Sequence, residues 1–183
     1  MSTPSSVSRR LADCLQAHAC GDYEGALVHF FPALDKVAKR RRPKENVGVR
    51  IRSFLSDEEA LISAIATGNV FRNIQVNGVT FPDAIYRFGR TSIAHEGELD
   101  RRLTISKDGS LSIGEIWTLP SSYITVLCIA VMVAPECADE KIEGDATITL
   151  FGSIWRLNEL WGAHERLKGS IATAFRDSNL FAK

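Results

Sequence analysis

An arginine and a histidine lie five positions apart in the segment YRFGRTSIAHEGEL, which runs from Tyr86 to Leu99. Arg90 stays charged and can bind phosphate oxygens through its fork of N–H donors. His95 is a candidate for proton transfer, because imidazole is the side chain best suited to giving and taking protons. Among fifteen arginines and four histidines, this is the only arginine-then-histidine pair with four to six residues between them. Together the two side chains could bind a phosphate and transfer protons, but a match at one of these spacings also occurs by chance.

Several neighbours of this pair are candidates for supporting roles. Tyr86 lies one helical turn before Arg90 and could orient it or contact RNA. Ser92 lies three residues before His95 and could hydrogen-bond it. Glu96 could stabilise a protonated His95, or it could pair with an arginine that follows it. A purely structural interpretation also stays open, in which Arg90 and His95 satisfy free carbonyl groups near the end of a helix.

The element predicted around the pair favours a site shared by two subunits. Pro82 and Asp83 open a predicted helix that extends to about His95, and Gly97 is placed to end it. Five residues along an α-helix rotate a side chain by about 140° and advance it by about 7.5 Å. One helix alone therefore makes a poor site, whereas a twofold axis beside it would place two arginines and two histidines in one basic groove. We therefore predict a homodimer.

The remaining sequence predicts further helices and one small β-hairpin. Residues 1–7 are predicted to be disordered, and apolar residues at helical spacing follow from Ser8. Pro32 lies inside the second predicted helix, where it could introduce a kink. Ser56 and Glu59 fit a capping box that starts another helix, and the pair Asn77-Gly78 predicts a tight turn.

The second half of the chain predicts a hairpin, a buried segment and a long final helix. Apolar and polar residues alternate around Asp108-Gly109, which predicts a β-hairpin at about 102–117. The apolar run from Tyr123 to Ala134 is too short to span a membrane, so it predicts a buried helix or strand. Apolar residues from Ile148 to Ile171 predict a long amphipathic helix. The predicted fold class is all-α, a helical bundle with an inserted β-hairpin, in one domain over residues 8–183.

Composition limits how the chain could contact nucleic acid. The 183 residues carry a net charge of zero, so binding must come from a local basic patch. The run 36–52 has eight basic residues against one acidic residue. It could bind RNA phosphates, or it could be a basic helix end followed by a solvated loop. The residues predicted to bind RNA are Lys39, Arg40, Arg41, Arg42 and Arg87.

Several other classes of protein are disfavoured. The four cysteines have no zinc-binding spacing and are predicted to be free, mostly buried thiols in a reducing cytosol. The N-terminus lacks an apolar signal region, and we predict a cytoplasmic protein without membrane insertion. Neither glycine-rich nucleotide-binding motif is present, which disfavours an NTPase or a dinucleotide enzyme.

The segment AIYRFGRTSIAHEGEL resembles the tyrosine–arginine–spacer–His-Glu-Gly segment of prokaryotic proteins of the HEPN superfamily. The earlier segment ALVHFFPALDKVAKR is similar to the aromatic-rich early helix of these domains. With the order of helices included, the resemblance covers most of residues 8–170. The position after the arginine is often Asn, Asp or His in active members, and it is Thr91 here.

The resemblance implies a HEPN-like helical bundle that dimerises, with two R-x4-6-H motifs facing each other across a cleft. It implies a metal-independent endoribonuclease without a cofactor, whose products carry 2′,3′-cyclic phosphate and 5′-hydroxyl ends. Such members act in toxin–antitoxin, antiphage and CRISPR-associated systems, so a cognate antitoxin or a nucleotidyltransferase is a possible partner. The alternative is a non-catalytic HEPN-like interaction module that binds a partner protein or nucleic acid.

Overall fold

Three long helices occupy the first third of the chain, and a side chain caps the start of each. In the computed structural model, which describes residues 5–182, the hydroxyl of Ser5 and the carboxylate of Asp22 accept hydrogen bonds from the first turns of α1 and α2. The side chain of Asn46 does the same for α3. These caps satisfy N–H groups that have no partner within the helix. The three helices are α1 (Ser6–Ala19), α2 (Tyr23–Arg41) and α3 (Val47–Thr67).

Two predictions about this region are corrected. Helix α1 begins at Ser6 and buries Val7, so the stretch predicted to be disordered at 1–7 extends too far; residues 1–4 lie outside the described residues. The capping box at Ser56 and Glu59 does not form, because Asn46 already starts one continuous helix. The carboxylate of Glu59 instead accepts hydrogen bonds from backbone N–H groups of the loop that follows α3.

The middle of the chain forms two small sheets. Strands β1 (Gln75–Val76) and β2 (Val79–Thr80) are antiparallel and are joined by Asn77-Gly78. The φ angle is 52° at Asn77 and 75° at Gly78. The predicted tight turn is therefore confirmed, because two positive φ angles are what the common two-residue hairpin turn requires.

The β-hairpin predicted at about 102–117 is wrong. Strand β3 (Leu103–Ser106) pairs in parallel with β5 (Trp117–Pro120), and the short β4 (Ser112–Ile113) pairs antiparallel with the other edge of β5. The turn at Asp108 therefore joins strands that do not pair with each other. Its carboxylate accepts hydrogen bonds from the backbone and hydroxyl of Ser110, which fold the loop on itself.

The C-terminal part is also more strand-like than the sequence predicted. In place of one long helix from Ile148 to Ile171, β6 (Thr147–Leu150) and β7 (Ser153–Arg156) form a hairpin, and α7 (His164–Phe175) follows after a short 3₁₀ turn. The β-branched residues of β6 favour a strand, and Gly152 allows the tight turn at a φ of 78°.

A central apolar helix organises the core. Helix α6 (Ser122–Val133) is buried on nearly all sides and packs against α1, α2 and α3, which confirms a buried element at 123–134. Among the described residues, no helix is both long and apolar enough to cross a membrane. The chain is mostly helical with small sheets.

Buried charges tie the C-terminal helix to this core. Arg41 of α2 lies 2.8 Å from Glu58 of α3, and Glu58 lies 2.9 Å from His164 at the start of α7. Only 2% of the Glu58 side chain is exposed. Burial alone would raise the pKa of Glu58, but the hydrogen bonds from His164 and Arg41 outweigh burial and lower it. The hydrogen bond to Glu58 raises the pKa of His164 against the opposing effect of burial.

The raised pKa of His164 predicts a pH-dependent contribution to stability. The contribution is complete below about 6.5, the ordinary histidine pKa, and is lost as the pH rises through the higher pKa of the folded state. We expect His164→Gln to lower the free energy of unfolding by about 1–3 kcal/mol near pH 6, and by less near pH 9. Urea unfolding of both proteins at the two pH values measures this. His29→Gln, at a half-exposed site, is the matched control; an equal cost of His164→Gln at both pH values would contradict the prediction.

Candidate functional site

The predicted site residues lie on a distorted helix. A short helical turn, α4 (Phe81–Asp83), leads into a π-helix (Ala84–Thr91), and α5 (Ser92–Glu96) completes the element. Gly97 follows with a φ of 80° and ends it, as the sequence predicted. A π-helix is wider than an α-helix because its hydrogen bonds join residues five apart; it is a rare element that frequently occurs at functional sites.

Two glycines let this wide helix lie close to its neighbours. A Cβ atom at Gly89 would lie 2.7 Å from the Cζ atom of Phe31 on α2. A Cβ atom at Gly48 of α3 would lie 3.0 Å from the hydroxyl of Tyr86. Neither helix could approach the π-helix as closely if these positions carried larger side chains.

Tyr86 and Arg90 meet on the surface of the π-helix. The Cζ atom of Arg90 lies 6.0 Å from the centroid of the Tyr86 ring, and that of Arg52 on α3 lies 5.0 Å from the same centroid. Both distances lie within the reach of cation–π attraction. Within residues 5–182, Arg90 forms no ion pair, whereas Arg52 approaches Asp83 at 3.7 Å. The predicted orienting role of Tyr86 therefore has a geometric basis.

His95 lies on an exposed surface, away from the contacts that were predicted for it. In the part of the chain that the structure describes, neither Ser92 nor Glu96 hydrogen-bonds its imidazole. His95 and Glu96 are exposed, and Ser92 is half-buried. The hydroxyl of Thr91 is buried without a hydrogen-bond partner among the described residues. One protomer therefore leaves His95 open to solvent.

Arg87 is the predicted phosphate-binding residue on the π-helix itself. It is exposed, and its Cζ atom lies 5.9 Å from the centroid of the Phe88 ring. It remains available to contact a phosphate from this face.

Three of the four basic residues predicted to bind RNA at the end of α2 are held in ion pairs. Arg40 lies 2.8 Å from Glu140, and Arg42 lies 2.8 Å from Asp57. Arg41 contacts Glu58 and also Glu136, in both cases at 2.8 Å. Binding RNA through these guanidinium groups would require breaking those pairs. Lys39 is exposed and forms no ion pair among the described residues.

A groove that the sequence did not reveal runs beside Arg90. Its volume is about 370 Å³, and it lies between α2 and the element that carries the motif. Most of its lining is apolar, and Asp35 and Arg90 are its charged residues. The apolar part consists of Val28, Phe31, Pro32, Ile93, Ala94 and Gly97. A wider cavity of about 490 Å³ lies near Tyr23 and Leu103, and its lining contains neither Arg90 nor His95.

Comparison with known proteins places the chain in a family. The family model named Rv1289 matches residues 6–180. The chain belongs to the Rv1289 family. Relatives include the uncharacterized proteins Rv1289 of Mycobacterium tuberculosis strain H37Rv and Mb1320 of Mycobacterium bovis. Each is 24% identical over 187 aligned residues, which cover 89% of this chain and 86% of the relative. No solved structure matches the chain.

The close approach at Gly89 can be tested with a matched pair of alanine substitutions. Gly89→Ala should lower the free energy of unfolding by about 1–3 kcal/mol, because the new Cβ atom forces Phe31 to move. Gly169→Ala on α7 adds a Cβ atom to open space and should raise stability by about 0.5–1 kcal/mol. Chemical denaturation measures both. If Gly89→Ala is as well tolerated as Gly169→Ala, the π-helix does not depend on this contact.

Proposed function

We propose that this chain is a HEPN-like, metal-independent endoribonuclease whose site is completed between two copies of the chain. One observation carries the proposal. Arg90 lies across the ring of Tyr86 without an ion pair among the described residues, five positions before an exposed His95 on the same π-distorted element. A guanidinium that is free to bind phosphate and an imidazole that is open to solvent are the two groups that the reaction needs.

The chemistry explains why one copy is insufficient. A base removes the proton of the RNA 2′-hydroxyl, and the resulting oxygen attacks the adjacent phosphorus. The bond from phosphorus to the 5′-oxygen breaks, and an acid protonates that leaving oxygen. The products are a 2′,3′-cyclic phosphate and a 5′-hydroxyl. Each motif offers only one imidazole, so a pair of His95 side chains supplies both the base and the acid, while Arg90 stabilises the charge on phosphorus-bound oxygens.

The exposure of His95 also supports a site that two copies of the chain share. An imidazole without a hydrogen-bond partner in its own protomer needs an external group to orient it, and a facing copy or the bound RNA provides one. The cysteine, histidine, aspartate and glutamate side chains of the described residues include no group of three or more that could hold a metal ion.

A non-catalytic interaction module is the second candidate. It is favoured by the absence of any hydrogen bond from Ser92 or Glu96 to His95 within residues 5–182, because catalytic histidines are usually oriented by a neighbour. In this case the surface around Tyr86 and Arg90 would bind nucleic acid or a protein partner without cleaving it.

An RNase assay in EDTA separates the two candidates. The wild-type protein should cleave RNA in the presence of the chelator and leave cyclic phosphate ends. Arg90→Ala and His95→Ala should each lower the rate by about 100-fold or more. Both variants should keep the free energy of unfolding within about 0.5 kcal/mol of wild type, because neither side chain forms an ion pair among the described residues.

Matched substitutions at other sites control for nonspecific effects. Arg9→Ala, at an exposed position of α1, and His29→Ala on α2 remove the same residue types outside the site and should keep the wild-type rate. Folded wild-type protein that binds RNA without cutting it would favour the interaction module. Cleavage that persists in Arg90→Ala would reject the proposed site.

A further inference from the structure

We infer that the groove beside Arg90 binds a guanine base of the RNA, next to the phosphate that Arg90 contacts. The inference rests on the proposed function, because Arg90 belongs to both the groove and the proposed phosphate site. It adds a base preference to the phosphate contact and proton transfer that the R-x4-H motif provides.

The size and lining of the groove suit a flat aromatic ring. At about 370 Å³, the groove falls within the range of small-molecule sites. Val28 is 42% exposed although it is apolar, so its surface is available for contact. The rings of Phe31 and Pro32 and the side chain of Ile93 line the same groove. A base stacked on apolar groups of this kind removes their surface from water.

Asp35 supplies the polar contact that selects among bases. Its Oδ1 atom accepts a hydrogen bond of 2.7 Å from the Nε atom of Arg50, and the Nη2 atom of Arg50 lies 2.7 Å from the same oxygen as part of the ion pair. This charge-assisted contact restrains the carboxylate. Its Oδ2 atom has no hydrogen-bond donor among the described residues, and the side chain is 29% exposed. Asp35 lines the groove, so we infer that this oxygen is the acceptor offered to a bound base.

The chemistry of the free oxygen favours guanine. An ionised carboxylate only accepts hydrogen bonds. Guanine presents two adjacent donors on its Watson–Crick edge, the ring N1–H and the 2-amino group. Adenine and cytosine each present a ring-nitrogen acceptor beside the amino group, and uracil presents its N3–H between two carbonyl oxygens; the carboxylate would repel these acceptors. Guanine is the base whose donors match Asp35 without an opposing acceptor.

The positions of the two charges connect base and phosphate. Asp35 and Arg90 both line the groove, from α2 and from the π-helix. A nucleotide with its base against Asp35 can therefore place its phosphate against Arg90. A second copy of the chain or a protein helix could bury apolar surface in the groove. A nucleotide in addition offers a donor edge for Asp35 and an anionic phosphate for Arg90 in one molecule.

Nucleotide binding to the intact, folded protein tests the inference without requiring cleavage. Guanosine, adenosine and uridine 3′-monophosphates are titrated separately, and binding is followed by NMR shifts of groove residues. We expect guanosine 3′-monophosphate to bind at least about tenfold more tightly than the uridine compound. Asp35→Asn replaces the free acceptor by a donor while an amide oxygen can still accept from Arg50. This variant should reduce the preference to about twofold or less.

The control variant, and the results that would overturn the inference, differ from those of the nuclease assay. Glu45→Gln removes a nearby exposed carboxylate outside the groove and should keep the preference for guanosine. Equal affinity for the three nucleotides, or a preference unchanged in Asp35→Asn, overturns the inference. So does a groove that is covered by a second copy and shows no nucleotide-induced shifts. A preserved guanosine preference without RNA cleavage rejects the nuclease and leaves the base site standing.

Discussion

The site depends on how closely a widened helix can approach two straight ones. The π-helix lies against α2 at Gly89 and against α3 at Gly48 through Tyr86, and both contacts exist because a glycine leaves room. This packing places the ring of Tyr86 between α3 and Arg90, and it forms one wall of the groove that contains Asp35. The position of Arg90 therefore depends on the close approaches that Gly89 and Gly48 allow.

Ion pairs with acidic side chains distinguish the arginines at the end of α2 from Arg90. The buried carboxylate of Glu58 needs positive partners, and Arg41 and His164 provide them from opposite ends of the chain. Neighbouring Arg40 and Arg42 are likewise held by acidic side chains. These ion pairs connect the end of α2 to the segments that pack against it. Arg90, like Arg87 on the same element, has no such partner within the described residues, so its guanidinium is free of an ion pair there.

The sequence predicted the local features well because they depend on local signals. Asn77-Gly78 formed the expected turn, and Gly97 ended the helix that carries Arg90 and His95. The parallel pairing of β3 with β5 was missed, since alternation around Asp108 indicates strands without indicating their partners. The π-helix at Ala84–Thr91 was also missed. Over eight residues, the pattern of apolar positions does not distinguish a π-helix from an irregular α-helix.

Contacts between distant segments account for the other differences. The basic run of α2 looks like a surface for nucleic acid until Glu136 and Glu140, about a hundred positions later, are folded against it. The groove combines Asp35 with Arg90, and no sequence motif joins them. The HEPN-like arrangement, the dimer and the RNase chemistry remain proposals that rest on Arg90, His95 and their resemblance to a known motif.

The central claim is that two copies of His95 serve one reaction, and a subunit-mixing experiment measures this directly. Wild-type chains are held at a fixed concentration, an equal amount of His95→Ala chains is added, and subunit exchange is verified by mass spectrometry. Random pairing leaves about half of the wild-type chains in wild-type dimers, so the RNA cleavage rate should fall to about half and approach zero with a large excess of the variant. An unchanged rate in the presence of verified mixed dimers would show that each chain acts alone and would contradict the claim.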